Sequence, residues 1–343
     1  MATTHATAEG TARFAARFAD AQANGFYREV EGLALSTLGL GSYLGAMDEA
    51  TDHGYEAAVT AAVSGGINFL DTSLNYRHQR SERNIGTALA RLIDKGELSR
   101  DEFAVCTKAG FLVPNALPDL PPQSLEIVGN SHSMHPAFLE HQLAASRTNL
   151  KLETIDVFYL HNPESQLASI PEDAFYERIT RAFTRCEAMV ERGWMRFYGT
   201  ATWSGFRKKP GESGGLDIDR LLTCAVAAGG GSHHFRFVQL PLNLGMCDAL
   251  SNGFLLRVPD LGLHAVASAS LHQAQLTSGL PPALAHVLTG PTTDAQRAIQ
   301  FTRSAPGISV ALAGMSRVEH VHENLGVTSF RPAPRAQFNR VFE

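Results

Sequence analysis

At 343 residues, 44% of them apolar, the chain is long enough for one large α/β barrel or two ordinary domains around a sizeable core. A formal net charge of −5, with no Lys/Arg block, excludes a general nucleic-acid binder. No apolar run approaches the roughly 18 residues of a membrane helix, the N-terminus lacks a secretory apolar region, and the four scattered cysteines show no CxxC spacing, so the expectation is a reduced, cytoplasmic protein.

Residues 1–30 read as a tail and one helix, with Arg13, Phe14, Arg17 and Phe18 at helical spacing, and residues 31–343 as one further domain. Leu38–Gly45 reads as a first strand running into a glycine-rich turn. Its glycines do not fit GxGxxG, and no acidic residue follows on a second strand, which argues against a Rossmann phosphate site. Residues 52–65 read as helical. The apolar run after Gly65-Gly66 reads as a second strand closed by Asp71, with Tyr76 five residues on and Ser81 as the N-cap of a helix carried by Ile85, Leu89 and Leu92. Phe103–Lys108 is the third strand candidate. The proline-rich segment after it, about 110–135, is too long for an ordinary βα connection and is expected to overhang the site. Pro136 opens a helix, and Thr154–His161 is the fourth strand. A helix over 172–193 is stopped by Gly193. Arg196–Thr200, Phe235–Leu240, Leu263–Ala267 and Ile308–Ala313 complete the strands, with helices over 217–228, around 246–257, over 293–304 and around Glu323-Asn324-Leu325.

Eight strands alternating with eight helical patterns predict an α/β fold whose parallel sheet closes into a (β/α)8, or TIM, barrel. In such a barrel the chemistry sits at the carboxyl ends of the strands, and Asp71, Tyr76, Lys108 and His161 lie at or just past the ends of strands two, three and four. A phenol, with a pKa of about 10, is a weak proton donor at neutral pH, and a neighbouring ammonium lowers that value. A carboxylate holds the ammonium, and an imidazole orients a carbonyl oxygen. Together they predict a proton relay for carbonyl reduction or its reverse, with a nicotinamide cofactor carrying the hydride that none of them can supply. Tyr43, Phe111 and Trp203 are candidate walls of an apolar pocket, and His132 and His135 on the long loop are candidate substrate contacts. His233 and His234 point apart on a strand without a cysteine or carboxylate at ligand spacing, so no metal is expected.

The ordered segments GINFLDTSLNY with RSERNIGTAL, then CTK, FYLHNPE, FYGTATWSG, FVQLPLN and LAGMSRVEHVHENLG, resemble the aldo-keto reductase family from about residue 35 to residue 328. The resemblance implies the same barrel, with an N-terminal extension and a long loop after the third strand, and the use of NADPH or NADH. It assigns Tyr76 as general acid and base, Lys108 as its tuner, Asp71 as the anchor of Lys108, and His161 as the residue that orients the substrate. It places Asp71, Thr202, Gln239 and Leu242 at the nicotinamide, and Gly314, Ser316, Arg317, His320, Glu323 and Asn324 around the adenosine end, where Arg317 favours NADP(H) over NAD(H). Three departures stand out. Ala201-Thr202 replaces a Ser-Asn pair, Leu242 replaces an aromatic residue expected to stack on the nicotinamide, and Ala269-Ser270-Leu271-His272-Gln273 replaces a Ser-Pro-Leu-Gly segment. The expected function is reduction of an aldehyde or ketone to an alcohol, with a small carbonyl or alcohol as substrate and neither nucleic acid nor membrane as partner. The alternatives are a sugar or secondary-alcohol dehydrogenase working oxidatively, and a nucleotide-sensing regulatory subunit with little turnover.

Overall fold

The apolar runs become the parallel strands of a closed barrel in the computed structural model, which describes residues 3–343. In chain order the elements are α1 (Ala8–Ala16), α2 (Ala19–Ala23), β1 (Tyr27–Val30), β2 (Leu33–Ser36), β3 (Leu38–Gly41), α3 (Glu49–Ser64), β4 (Phe69–Asp71), α4 (Arg80–Asp94), β5 (Ala104–Ala109), α5 (Pro136–Leu150), β6 (Ile155–His161), α6 (Glu172–Glu191), β7 (Met195–Ala201), α7 (Ile218–Gly229), β8 (Phe235–Pro241), α8 (Asp248–Ser251), α9 (Phe254–Arg257), β9 (His264–Ser268), α10 (Ala283–Val287), α11 (Asp294–Ser304), β10 (Ile308–Gly314), α12 (Val318–Leu325) and α13 (Arg335–Asn339). The barrel runs from β3 to β10, and β10 pairs back onto β3 to close it.

The strands are apolar along their whole length because both faces are covered. One face, with Phe69, Cys106, Val157, Tyr159, Phe237, Val266 and Leu312, fills the barrel. The other packs against the helices, as Phe158, Tyr198 and Val238 do. Gly199 on β7 is required by close approach: a Cβ there would lie 2.0 Å from the carbonyl oxygen of Phe237 on β8.

Three local expectations are corrected. The segment read as tail and helix also contributes β1, which pairs with β2 in an antiparallel hairpin spanning residue 30. Its turn residues Glu31 (φ 51°) and Gly32 (φ 74°) both take the left-handed conformation that a two-residue hairpin needs. The hairpin joins the interior cluster, and Asn68, just before β4, bonds both Ser36 N and Ala34 O, which places it across the amino end of the barrel. The helix expected around 246–257 is instead two short turns, α8 and α9, broken at Gly253 (φ 81°). Ser81 does not cap α4. The N-cap position falls two residues earlier, on Gln79 in the left-handed region, and the buried Ser81 hydroxyl donates to Ser42 O at 2.7 Å.

Candidate active site

Three of the four residues singled out come from strand ends: Asp71 closes β4, Lys108 is the penultimate residue of β5, and His161 closes β6. Tyr76 lies in the connection after β4, where its amide bonds Ser73 O at 3.0 Å. Arg77, His78 and Gln79 then follow in consecutive left-handed conformations without a glycine. Such backbone persists only where its surroundings hold it. Here the buried Arg77 does so, donating to Ala46 O at 2.8 Å, Asn84 Oδ1 at 2.9 Å and Asp52 Oδ1 at 2.7 Å.

The structure brings the four together. Lys108 Nζ donates to Asp71 Oδ1 at 2.5 Å, to Thr72 O at 2.7 Å and to Tyr76 Oη at 3.3 Å. The second oxygen of Asp71 accepts from Gln239 Nε2 at 2.8 Å, a partner the sequence did not reveal. The rings of Tyr76 and His161 meet edge to face at 5.8 Å. Lys108 is only 1% exposed and sits behind Tyr76, whereas Tyr76 and His161 reach the cavity wall.

Burial is the largest influence on each of these groups. It pushes the Tyr76 phenol above its ordinary value against the pull of Lys108, so the lowered phenol expected from the ammonium is reversed here and Tyr76 stands as a protonated donor. Burial also opposes the charge of Lys108, but Asp71 and Tyr76 outweigh it and hold the ammonium above its ordinary value. Burial raises the Asp71 carboxyl, and Lys108 and Gln239 oppose that rise. Burial, then Lys108 and His132, push His161 well below its ordinary value and leave a neutral imidazole.

A cavity of about 810 Å³ opens over these groups and runs towards α12. Tyr43 packs against Tyr76 with ring centroids 4.9 Å apart, Phe111 against His161 at 5.0 Å, and both line the cavity with Trp203. Thr202 and Gln239 line it as well, although the Thr202 hydroxyl already donates to Gln239 O at 3.3 Å. Farther along, Gly314, His320, Glu323 and Asn324 form the wall. Leu242, Ser316 and Arg317 do not. Leu242 is wholly buried among the barrel and helix residues. The Arg317 side chain is 68% exposed, 3.6 Å from the Glu319 carboxylate, just before α12.

The sequence reading missed Asn75 and Asn162 beside the relay, and it noted Ala269–Gln273 only as a departure from the family pattern, whereas Ser268, Ala269, Ser270, Leu271, Gln273, Ala274 and Thr277 all line the wall. Ala269, His272, Gln273 and Ala274 all take left-handed backbone there, without the glycine or asparagine that signals it in a sequence. The buried Ser270 hydroxyl has no partner, and the amides of Leu271, Gln273 and Ala274 bond no acceptor among the described residues. Unpaired donors in such a turn suit an anionic group such as a pyrophosphate. No group of three potential metal ligands occurs among the described residues.

The long loop is ordered and packs beside the relay. Phe111 and Val128 form bridges to His132. His132 is 1% exposed and lies outside the cavity lining, its Nε2 2.7 Å from His161 O and its Nδ1 3.2 Å from Gln166 Nε2. Gly110 permits this, since a Cβ there would meet His132 Nε2 at 2.7 Å and His161 O at 2.8 Å. His135 instead caps α5, accepting from Ala137 N at 3.3 Å.

Residues 37–207 match the model of the aldo/keto reductase family. A D-threo-aldose 1-dehydrogenase of a Pseudomonas species is 33% identical over 145 residues, which is 39% of this chain and 42% of that protein. A probable voltage-gated potassium channel subunit beta of Arabidopsis thaliana is 24% identical over 324 residues, 88% of this chain and 90% of that one. An aldo/keto reductase of Klebsiella pneumoniae, solved with NADP and acetate, superposes with a TM-score of 0.67 at 19% identity, covering 92% of this chain and 95% of that one, and so shares the fold. Among the described residues, no helix is long and apolar enough to cross a membrane.

Proposed function

Since the chain belongs to the aldo/keto reductase family of NAD(P)H-dependent oxidoreductases, we propose that it reduces a small aldehyde or ketone to its alcohol, with Tyr76 as general acid and Lys108, Asp71 and His161 supporting it. One observation carries this reading: a buried ammonium, Lys108 Nζ, lies 2.5 Å from a carboxylate and 3.3 Å from the phenol that reaches the cavity. A nicotinamide dinucleotide bound in the cavity supplies the hydride, or accepts it in reverse. As negative charge builds on the substrate oxygen, Tyr76 Oη gives up its proton there. Lys108, kept charged by Asp71, stabilises the phenolate left behind. Gln239 keeps Asp71 aimed and retains Oε1 for a ligand donor. His161 faces the oxygenated end of the substrate, and Tyr43, Phe111 and Trp203 enclose it.

With their unpaired donors, Ser270, Leu271, Gln273 and Ala274 would hold the pyrophosphate of the dinucleotide, and His320, Glu323 and Asn324 would hold its adenosine. Arg317 is the group that favours NADPH, and the bound NADP of the Klebsiella relative supports that choice. The likeness to a D-threo-aldose 1-dehydrogenase favours a second reading, the same site working oxidatively on a sugar.

The test is NADPH consumption with a panel of carbonyls, and NADP⁺ or NAD⁺ reduction with aldoses and secondary alcohols. Turnover that vanishes in Tyr76→Phe supports the proposal. Tight dinucleotide binding without turnover on any of them would replace it with a nucleotide-binding subunit role.

A further inference from the structure

Building on the dinucleotide reading of the cavity, we infer that Asn243 is a positioning residue for it: from outside the cavity, its buried amide holds the Ala269–Ala274 turn in the shape that receives the pyrophosphate. Asn243 closes the FVQLPLN segment, just past the end of β8. It is fully buried and does not line the cavity, whereas Ala269, Ser270, Leu271, Gln273 and Ala274 do.

The Asn243 amide has one orientation only. The Gly245 N–H can only donate and meets Oδ1 at 2.8 Å, and the Ala269 carbonyl can only accept and meets Nδ2 at 2.9 Å. The same carbonyl accepts from the His272 amide at 2.8 Å. Two donors therefore fix the plane of the peptide between Ala269 and Ser270. In a trans peptide the N–H points opposite to the carbonyl, so holding Ala269 O towards Asn243 turns the Ser270 N–H away from it. That N–H bonds no acceptor among the described residues, and neither does the Ser270 hydroxyl beside it.

The hold is needed because Ala269 sits at φ 55°, a conformation that glycine takes freely and that a Cβ disfavours. Asn243 offsets the absence of glycine there. Without its bond, Ala269 relaxes out of the left-handed region, and the ligand must order the turn as it binds. The loss falls on the pyrophosphate, which NADPH and NADH share, and so differs from a loss at the adenosine end.

Calorimetric titration of NADPH, NADH, ADP-ribose and adenosine 2′-monophosphate into wild type, Asn243→Ala and Asn243→Ala/Ala269→Gly tests this. Asn243→Ala should weaken the three pyrophosphate ligands about tenfold each, the size of one buried hydrogen bond, and leave the monophosphate within about twofold. Adding Ala269→Gly should recover most of the loss, because glycine needs no help to stay left-handed. Asn243→Ser, whose hydroxyl is too short to reach Ala269 O, should show the same selective loss and serves if Asn243→Ala does not fold. Hydrogen exchange of the His272 amide, read by NMR without ligand, should quicken about tenfold in the variant as the turn loosens. Unchanged pyrophosphate affinity, an equal loss for the monophosphate, or unchanged His272 exchange overturns the inference. The exchange measurement needs no ligand, so if the wild type binds no dinucleotide the reading of the cavity fails while the hold of Asn243 on the turn is still decided.

Discussion

At the relay end of the cavity, Asp71 and Lys108 are each held by two or more protein partners, and Lys108 is closed off from solvent. Along Ala269–Ala274, by contrast, four non-glycine residues take left-handed backbone, Ser270 Oγ meets nothing, and the nearby Arg317 points into solvent beside Glu319. The first region is complete in the protein alone, as charge stabilisation needs if it is not to be built anew at each turnover. The second has donors without acceptors, and under the proposed function an anionic ligand would complete it. Substitutions at the relay end should therefore act on rate, and substitutions at the other end on binding.

The sharpest way to break that division is Tyr76→Phe. Loss of a general acid should lower kcat by about 10²- to 10⁴-fold, with dinucleotide affinity within about twofold of wild type. Lys108→Met should do the same, and the double variant should be no slower than the worse single one, because the proposed mechanism has both residues serve one proton transfer. Single and double variants compared by steady-state rates and by dinucleotide titration decide it. A large loss of dinucleotide affinity in Tyr76→Phe would merge the two regions into one. The reductive kcat/KM should also show no inflection at the usual histidine pKa of about 6.5, because burial holds His161 well below it. It should fall only in alkali, as the phenol, raised by burial, loses its proton.

The contrast also explains what could be read in advance. The barrel was legible because eight doubly covered strands leave eight apolar runs, and the relay was legible because Asp71, Lys108 and His161 sit at strand ends, where the register fixes them. The Gln239–Asp71 bond was not, since it joins residues 168 apart and depends on the closure of the barrel. The hairpin was hidden because its turn, Glu31-Gly32, has glutamate where asparagine, aspartate or glycine would signal the left-handed first position. The departure after β9 was visible, but its conformation was hidden because its left-handed positions are Ala269, His272, Gln273 and Ala274, residue types that announce no turn. Leu242 and Ser81 were misplaced for one reason: each was read by its local offset, and each turned out to be packed in the interior by residues distant in sequence, such as Ser42 for Ser81.

His132 tests whether the long loop belongs to the rigid half. Burial holds its pKa down to about 4, against 6.5 in the unfolded chain. Between those values the unfolded state binds a proton that the folded state refuses, so stability is fully present above pH 6.5 and is lost as pH falls towards 4. Between pH 7 and pH 4.5 the wild type should lose about 2–3 kcal/mol more stability than His132→Gln. Urea unfolding of both proteins at the two pH values measures this. Parallel losses would mean that His132 is solvated and that the loop stands apart from the relay.

The smallest expected effect probes the other half. A 2′-phosphate carries up to two negative charges, and Arg317 can meet it with a planar fork of donors close to the start of α12, where free amides add a favourable field. Against this, the guanidinium lies outside the cavity lining, 68% exposed and 3.6 Å from the Glu319 carboxylate. It must turn towards the ligand and give up that partner, and exposure screens what it gains. A charged hydrogen bond at the weak end of its range, about 1.5 kcal/mol, corresponds to roughly tenfold in affinity. Arg317→Ala should therefore weaken NADPH about tenfold and leave NADH nearly unchanged. Glu319→Gln should strengthen NADPH by about twofold, because it removes the competing carboxylate. Both effects should shrink as salt is raised, since the contact lies at the surface. Calorimetric titration of the two dinucleotides into the three proteins at low and high salt separates the outcomes. Equal losses for NADPH and NADH in Arg317→Ala would make Arg317 a support for the α12 turn and move the choice of dinucleotide to His320 and Glu323, which already face the cavity.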